Sequence, residues 1–145
     1  MSFCAENYFK VWKANHITKK VNVLADHKIK KEKLLQAVLP ISLIDSVDLD
    51  RFLVVFKTGE SEMFEFDSES EELWWIETEK TREHDCQLTG YDYCPQLKLI
   101  VTSDVSGVIR LWNRDKKFLK EIIFPTPIDA ACFLNNKGDL LVSHA

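Results

Sequence analysis

Short apolar runs separated by turn-forming residues dominate this 145-residue sequence and limit what it can fold into. The runs are roughly four to eight residues long, and Gly, Pro, Asn, Asp or Ser interrupts them about every 8 to 12 residues. Val, Ile, Leu, Phe and Tyr make up most of each run, as in β-strands that are joined by tight connections. The sequence therefore predicts an all-β fold of about a dozen strands, which suits a sandwich, a barrel or a propeller.

An internal repeat separates these three folds. When Trp12 is aligned with Trp112, a hydroxyl residue, a turn, a strand and the tryptophan fall in register. Between them, residues 52–66 are again strand, tight turn and strand, and they end on the aromatic Phe66. The three aromatic residues lie roughly 45 to 55 residues apart, close to the period of a four-stranded propeller blade.

The clearest repeat lies between residues 82 and 124 and resembles a WD repeat. Its motifs are the segments 82–85, 88–95, 99–103 and 106–112. In such repeats a His before the first strand, a Ser or Thr on the second, an Asp in the following turn and a Trp on the third form a buried hydrogen-bonded set. The resemblance assigns this set, in chain order, to His84, Thr102, Ser106 and Trp112, and it places Trp12 at the Trp position of the first repeat.

Two positions depart from the family pattern. Ser106 stands where WD repeats prefer Asp, and Asn113 replaces the Asp of the signature dipeptide. A neutral serine accepts a hydrogen bond from an imidazole less strongly than a carboxylate does, so we expect the charge-assisted link to be missing and the blade to be less rigid. Gly107 keeps its expected role, because the turn needs a residue that tolerates positive φ.

The strand pattern divides the chain into whole and partial blades. We expect residues 1–24 to be the C-terminal half of a blade, 25–33 a basic inter-blade loop, 34–80 a degenerate blade, 81–124 the WD-type blade, and 125–145 the N-terminal half of a further blade. A turn of helix within 26–36 is the alternative for the basic segment. Together these parts make at most three blades, fewer than the four to eight that close a propeller. We therefore expect the chain to be a piece or a truncated form of a longer WD-repeat protein.

Composition and motifs favour binding over catalysis. The net charge of −4 and the pI near 5.6 disfavour nucleic acid or an anionic membrane as the main partner. The four cysteines lie far apart and are expected to be reduced, mostly buried thiols of an intracellular protein. No zinc-type ligand spacing and no glycine-rich phosphate loop occurs, so neither a metal nor another cofactor is predicted. His84 is expected to be a scaffold residue, because nucleophile and acid partners are missing.

Trp74 and Trp75 are the candidate partner contacts. Adjacent residues of a strand face opposite sides of the sheet, so the two indoles cannot share one core layer and one of them is expected to be exposed. Exposed tryptophan is enriched at binding hot spots. The alternative is that this outer indole packs against a neighbouring blade.

The resemblance implies a non-catalytic protein-interaction scaffold in the cytoplasm, whose partners are other proteins. Residues 124–144 further resemble the large WD-repeat proteins associated with cilia and testis, which implies a ciliary or cytoskeletal assembly. Two alternatives stay open. One is the substrate-recognition propeller of a multidomain enzyme or a ubiquitin-ligase receptor, and the other is a non-functional truncated product.

Overall fold

A computed structural model describes residues 2–3, 8–15, 20–28, 34–42, 49–67 and 69–144, and it describes the side chains of 34–41, 51–67 and 69–144. Every regular element in these ranges is a β-strand, which confirms the predicted all-β class. The strands are β1 (Ser2–Phe3), β2 (Tyr8–Asn15), β3 (Lys20–Lys28), β4 (Leu35–Ser42), β5 (Leu49–Phe56), β6 (Ser61–Asp67), β7 (Glu72–Ile76), β8 (Leu88–Cys94), β9 (Leu99–Asp104), β10 (Val108–Asn113), β11 (Phe118–Ile123), β12 (Ile128–Phe133) and β13 (Leu140–His144).

These strands form four antiparallel sheets in which each strand pairs with its neighbour in sequence. The first sheet is β1-β2-β3, and the last is the pair β12-β13. Between them, β4-β5-β6-β7 and β8-β9-β10-β11 are four-stranded. Short connections between consecutive strands explain this order, because a turn of a few residues can only join antiparallel neighbours.

The N-terminal sheet is larger than the sequence predicted. It has three strands where two were expected, because β1 pairs with β2 through Ser2↔Lys10 and Phe3↔Phe9. β3 also continues to Lys28, opposite Tyr8, and so enters the segment that was expected to be a loop from residue 25. Backbone pairing does not require apolar side chains, so a basic strand end resembles a loop in composition. Residues 29–33, the rest of that segment, lie outside the described residues.

The two four-stranded sheets pack face to face around a shared apolar core. Alternate residues of a strand point to opposite faces, so β5 supplies this core with every second residue and buries the others on its far side. The buried residues between the two sheets are Ile41, Leu53, Val55, Met63, Leu88, Ile100 and Trp112. A second cluster on the far side of β4-β5-β6-β7 contains Phe52, Val54, Phe56, Phe64 and Phe66. Both faces of this sheet are thus buried, as in an interior blade.

The first strands of successive sheets lie side by side. Gln36 Nε2 on β4 donates to the Leu88 carbonyl of β8 at 2.8 Å. The Phe133 backbone N–H of β12 donates to Asp92 Oδ2 of β8 at 2.8 Å. At Gly90 the backbones of β8 and β12 come so close that a Cβ would lie 2.5 Å from the Ala131 nitrogen. The sheets therefore meet at their first strands, and β7 and β11 are the outermost strands.

Each four-stranded sheet has an equivalent hairpin turn between its second and third strands, and this turn packs against the segment that follows the sheet. Gly59 lies in the β5–β6 turn with φ +94°, and Gly107 lies in the β9–β10 turn with φ +98°. The backbone N–H of Phe124, just after β11, donates to the Gly107 carbonyl at 2.8 Å. Both positions need glycine, since φ is positive and backbone atoms of the next segment lie against the Cα.

Candidate functional site

A buried chain of hydrogen bonds links four side chains inside the β8–β11 sheet. His84 Nδ1 lies 2.5 Å from Asp104 Oδ2, and His84 Nε2 lies 2.7 Å from Thr102 Oγ1. Trp112 Nε1 donates to the same hydroxyl at 2.9 Å. All contacts are satisfied together when Nδ1 carries the proton, the threonine hydroxyl donates to Nε2, and the indole donates to the threonine oxygen.

Local structure places each of these groups. Thr102 and Asp104 are two residues apart on β9, so both side chains point to the same face of the sheet. Trp112 comes from β10 and lies opposite Ile100 of β9, one step from Thr102 on that face. His84 lies in the connection before β8 and enters the sheet from its end. The set therefore ties the connection to the second and third strands.

The carboxylate in this set comes from Asp104, and the expectation that Ser106 replaces it was wrong. The turn starts at Asp104, whose carbonyl accepts from the Gly107 N–H at 3.2 Å. Its Oδ1 accepts from the Ser106 hydroxyl at 2.5 Å and from the Ser106 backbone at 2.9 Å, and Oδ2 is left for His84. The charge-assisted link is therefore present, and Ser106 supports it from the turn.

This arrangement holds strands together, because its side chains bond to one another. Both ring nitrogens of His84 are engaged, and His84, Thr102 and Trp112 are all almost completely buried. An Asp–His–hydroxyl sequence resembles a nucleophile triad only in composition, because a nucleophile must contact substrate. The structure thus brings His84, Thr102 and Trp112 together in a hydrogen-bonded set that stabilises the blade.

Burial and hydrogen bonding keep the imidazole neutral beside an ionised carboxylate. Burial lowers the pKa of His84 below its ordinary value of 6.5, and the opposing effect of Asp104 does not cancel this. Burial on its own would raise the pKa of Asp104. Hydrogen bonds from Ser106, His84 and the Val108 backbone outweigh it and lower that pKa below 3.8. A neutral His84 with Nδ1–H facing the carboxylate follows at pH 7.

We expect acid to destabilise the fold through His84 first. Because its folded pKa lies below 6.5, the unfolded chain binds the proton first as the pH falls through 6.5, and stability declines with a slope of up to about 1.4 kcal/mol per pH unit for one proton. Asp104 adds a loss below about pH 3.8 for the same reason. Urea unfolding between pH 8 and 4 measures the slope. His84→Gln should flatten it below pH 6.5, and equal slopes in the two proteins would contradict this.

A second buried cluster lies beside the first and was missed by sequence reasoning. The Lys116 ammonium contacts the Glu83 carboxylate and lies 3.4 Å from the Ser61 carbonyl of the preceding sheet. It also lies 5.1 Å from the centre of the Trp112 ring. Burial lowers the pKa of Lys116 to about 8, although Glu83 acts to raise it. Lys80, in the connection between β7 and β8, donates to the same Ser61 carbonyl at 2.6 Å, so both lysines tie later segments of the chain to β6.

An open cleft of about 400 Å³ lies next to this cluster. Its lining residues are Glu60, Lys80, Thr81, Glu83, His84 and Asp85. Charged and polar groups of both signs line it, and Lys80 pairs with Glu83. Nothing in this lining selects a particular ligand.

Trp74 and Trp75 are both exposed, where only one was expected to be. Their exposed fractions are 57% and 54%. The two residues lie on β7, the outermost strand of its sheet, opposite Glu65 and Phe64 of β6. A strand at the outer end of a twisted sheet leaves both of its faces accessible, so alternation no longer separates a buried from an exposed side.

The remaining predicted residues are placed as follows. Trp12 lies on β2 opposite Val23, but its side chain is not among those described. Cys94 is buried, Cys86 and Cys132 are partly buried, and all three are free thiols, whereas Cys4 lies outside the described residues. Within the described ranges, no three His, Cys, Asp or Glu side chains are grouped as metal ligands would be. No helix in these ranges is long and apolar enough to cross a membrane.

Comparison with known proteins adds the architecture to this geometry. No family model matches the sequence. The chain is similar to a solved structure described as the Dos1 propeller, with a TM-score of 0.62 and 14% sequence identity over 97% of this chain. The matched region is 38% of that protein's chain, so this chain spans about two fifths of its length. At this identity the likeness shows the fold alone: the antiparallel sheets are blades of a β-propeller.

Proposed function

We propose that the chain is a non-catalytic protein-interaction scaffold of the WD-repeat type. The propeller fold supports it, because propellers commonly present their loops and outer strands to other proteins. The WD-repeat type is supported by the hydrogen-bonded set of His84, Thr102 and Trp112, the residues that the sequence resemblance assigns, although Asp104 supplies the carboxylate instead of position 106. These groups stabilise a blade, so binding must involve the surface.

The exposure of Trp74 and Trp75 is the observation that carries this proposal. Two adjacent indoles, each more than half accessible, are costly to leave in water, at roughly 25 cal/mol per Å² of apolar area. Tryptophan is also enriched among the residues that dominate binding energy at protein interfaces. A surface with two of them on one outer strand is therefore better suited to a partner than to solvent.

The experiment is a quantitative capture assay with matched variants. We expect immobilised wild-type chain to retain specific proteins from a lysate of the source tissue, and the Trp74→Ala/Trp75→Ala variant to lose at least about nine tenths of that capture. Leu119→Ala is the control, because Leu119 is 52% exposed on β11, the outermost strand of the next blade. Equal capture by wild type and the double tryptophan variant, with both folded by circular dichroism, would contradict the proposal.

The sequence resemblance also supports a cytoplasmic location and a place in a ciliary or cytoskeletal assembly. Immunofluorescence of the endogenous protein tests this directly, with co-staining for axonemal tubulin. Signal confined to another compartment would remove the ciliary part and leave the scaffold proposal standing. Neither a ubiquitin-ligase receptor nor a multidomain enzyme is favoured by an observation in the described residues.

A further inference from the structure

Among the described residues, the outer edge of β7 combines exposed aromatic rings with backbone groups that pair with no further strand. β7 pairs with β6 on one side and is the end strand of its sheet, so the N–H and C=O groups on its other side point outward. β3 approaches β7 from the neighbouring sheet, yet both indoles stay more than half exposed. Such an edge can pair with a further strand.

The segment that contains this edge is a dense cluster of negative charge. Residues 58–79 contain nine carboxylates and no Lys, Arg or His, whereas the net charge of the whole chain is only −4. The exposed members immediately before, within and after β7 are Glu69, Glu71, Glu72, Glu77 and Glu79. The rest of the chain is therefore net positive. The negative charge is concentrated in the segment that carries the two tryptophans.

One of the rings is already held next to a carboxylate. The indole Nε1–H of Trp74 donates to Glu72 Oε2 at 3.1 Å. A cation over this ring would gain from the ring quadrupole and from the adjacent negative charge together. Trp75 lies on the other face of the strand. The exposed Glu77 follows it by two residues, just after the strand ends. Both faces of β7 thus offer an aromatic surface with carboxylates near it.

We propose that the free edge of β7 binds an extended, lysine- or arginine-rich segment of a partner protein as an added β-strand. This rests on the proposed scaffold function and names its partner chemistry. Backbone hydrogen bonds to β7 supply part of the affinity. Basic side chains at every second position lie on one face of the added strand and reach the indole on that face, while the residues between them pack against the indole on the other face. Nucleic acids and anionic membranes are repelled by the carboxylates, and a second copy of β7 would bring two acidic edges together.

The test uses the 145-residue chain and three labelled octapeptides, measured by fluorescence anisotropy. One peptide alternates Lys and Val, the second alternates Glu and Val, and the third keeps every Lys but replaces each Val by Pro, which removes backbone donors. We expect the Lys/Val peptide to bind at least about tenfold more tightly than either of the others. Raising NaCl from 50 to 500 mM should weaken its binding severalfold, because exposed charges are screened.

Matched variants assign this binding to the edge. Trp74→Ala/Trp75→Ala and Glu72→Lys/Glu77→Lys should each weaken the Lys/Val peptide about tenfold or more, while Leu119→Ala on β11 should change its binding less than about twofold. Circular dichroism of every variant verifies that the sheets are intact.

The outcomes separate the two proposals. Equal binding of the Lys/Pro and Lys/Val peptides would overturn strand addition. If the Glu/Val peptide binds as tightly as the Lys/Val peptide, or if the double tryptophan variant binds the Lys/Val peptide as tightly as the wild type does, the proposal of a basic partner at this edge is overturned. If the tryptophan variant loses protein capture but the wild type binds no basic peptide, the scaffold function stands and this inference fails. If the tryptophan variant keeps its protein capture and the wild type binds no basic peptide, the scaffold function fails as well.

Discussion

Replacing Asp104 with Ala should destabilise the fold by about 3 to 5 kcal/mol, one of the two largest losses we expect. The carboxylate accepts hydrogen bonds from the His84 ring, from the hydroxyl and backbone of Ser106, and from the backbone of Val108. Alanine would leave these donors without their acceptor, and the His84 ring is buried. Loss of a hydrogen-bonded charge in a buried network is the expensive case, because the remaining polar groups cannot return to water.

Asp115→Ala is the matched control for this loss. The Asp115 side chain is 66% exposed and pairs with Arg51 at 2.9 Å, while Arg51 keeps Glu65 as a second partner. An exposed ion pair of this kind contributes less than about 1 kcal/mol. Urea unfolding at pH 7, followed by tryptophan fluorescence, compares the two variants. Losses of similar size would mean that the Asp104 carboxylate does not support the blade.

Asp104 also shows what turn geometry adds to a sequence pattern. The sequence pattern puts the hydroxyl, the turn and the tryptophan in register and predicts the acidic position at Ser106, next to the turn glycine. The turn actually spans Asp104 to Gly107, and its first position favours Asp because the side chain can accept from the backbone two residues later. A count of turn positions from Gly107, together with the shared face of residues 102 and 104, would have selected Asp104.

The strands themselves were predictable, because they depend on local alternation and on turn residues. Each sheet is built from neighbours in sequence, so short-range signals suffice to define it. The environment of β7 was not predictable in the same way. A strand in the middle of its sheet has both faces covered, whereas the last strand does not. How far each face is covered depends on the way that whole sheets stack. Trp74 and Trp75 are therefore exposed together.

Lys116 illustrates a different limit. Its φ of +58° places a non-glycine residue in the left-handed region of the β10–β11 turn, and its ammonium is buried between two sheets. Charged side chains are almost never fully buried, so composition indicates a solvated turn at this position. Burial becomes tolerable only because Glu83 and the Ser61 carbonyl converge there from other parts of the chain. Such convergence cannot be inferred from the sequence around Lys116.

Gly59→Ala should destabilise the fold by about 3 to 5 kcal/mol, because it forces apart two sheets that pack at this turn. A Cβ on Gly59 would lie 2.2 Å from the Cys86 carbonyl oxygen and 2.7 Å from that of His84. Both are backbone atoms, so no side chain can rotate away. The positive φ of +94° adds a cost of about 1 to 2 kcal/mol for any L-residue.

Gly138→Ala separates the overlap from the backbone strain. Gly138 has a similar φ of +91°, but its added Cβ would approach only the flexible end of the Leu97 side chain at 3.0 Å. We expect this control to lose about 1 to 2 kcal/mol in urea unfolding, from the strain alone. Because the overlap in Gly59→Ala moves the backbone of His84, it should also shift the imidazole resonances of His84 in NMR spectra. Equal losses for the two alanine variants, with the His84 resonances unchanged, would show that the β5–β6 turn does not hold the His84 segment in place.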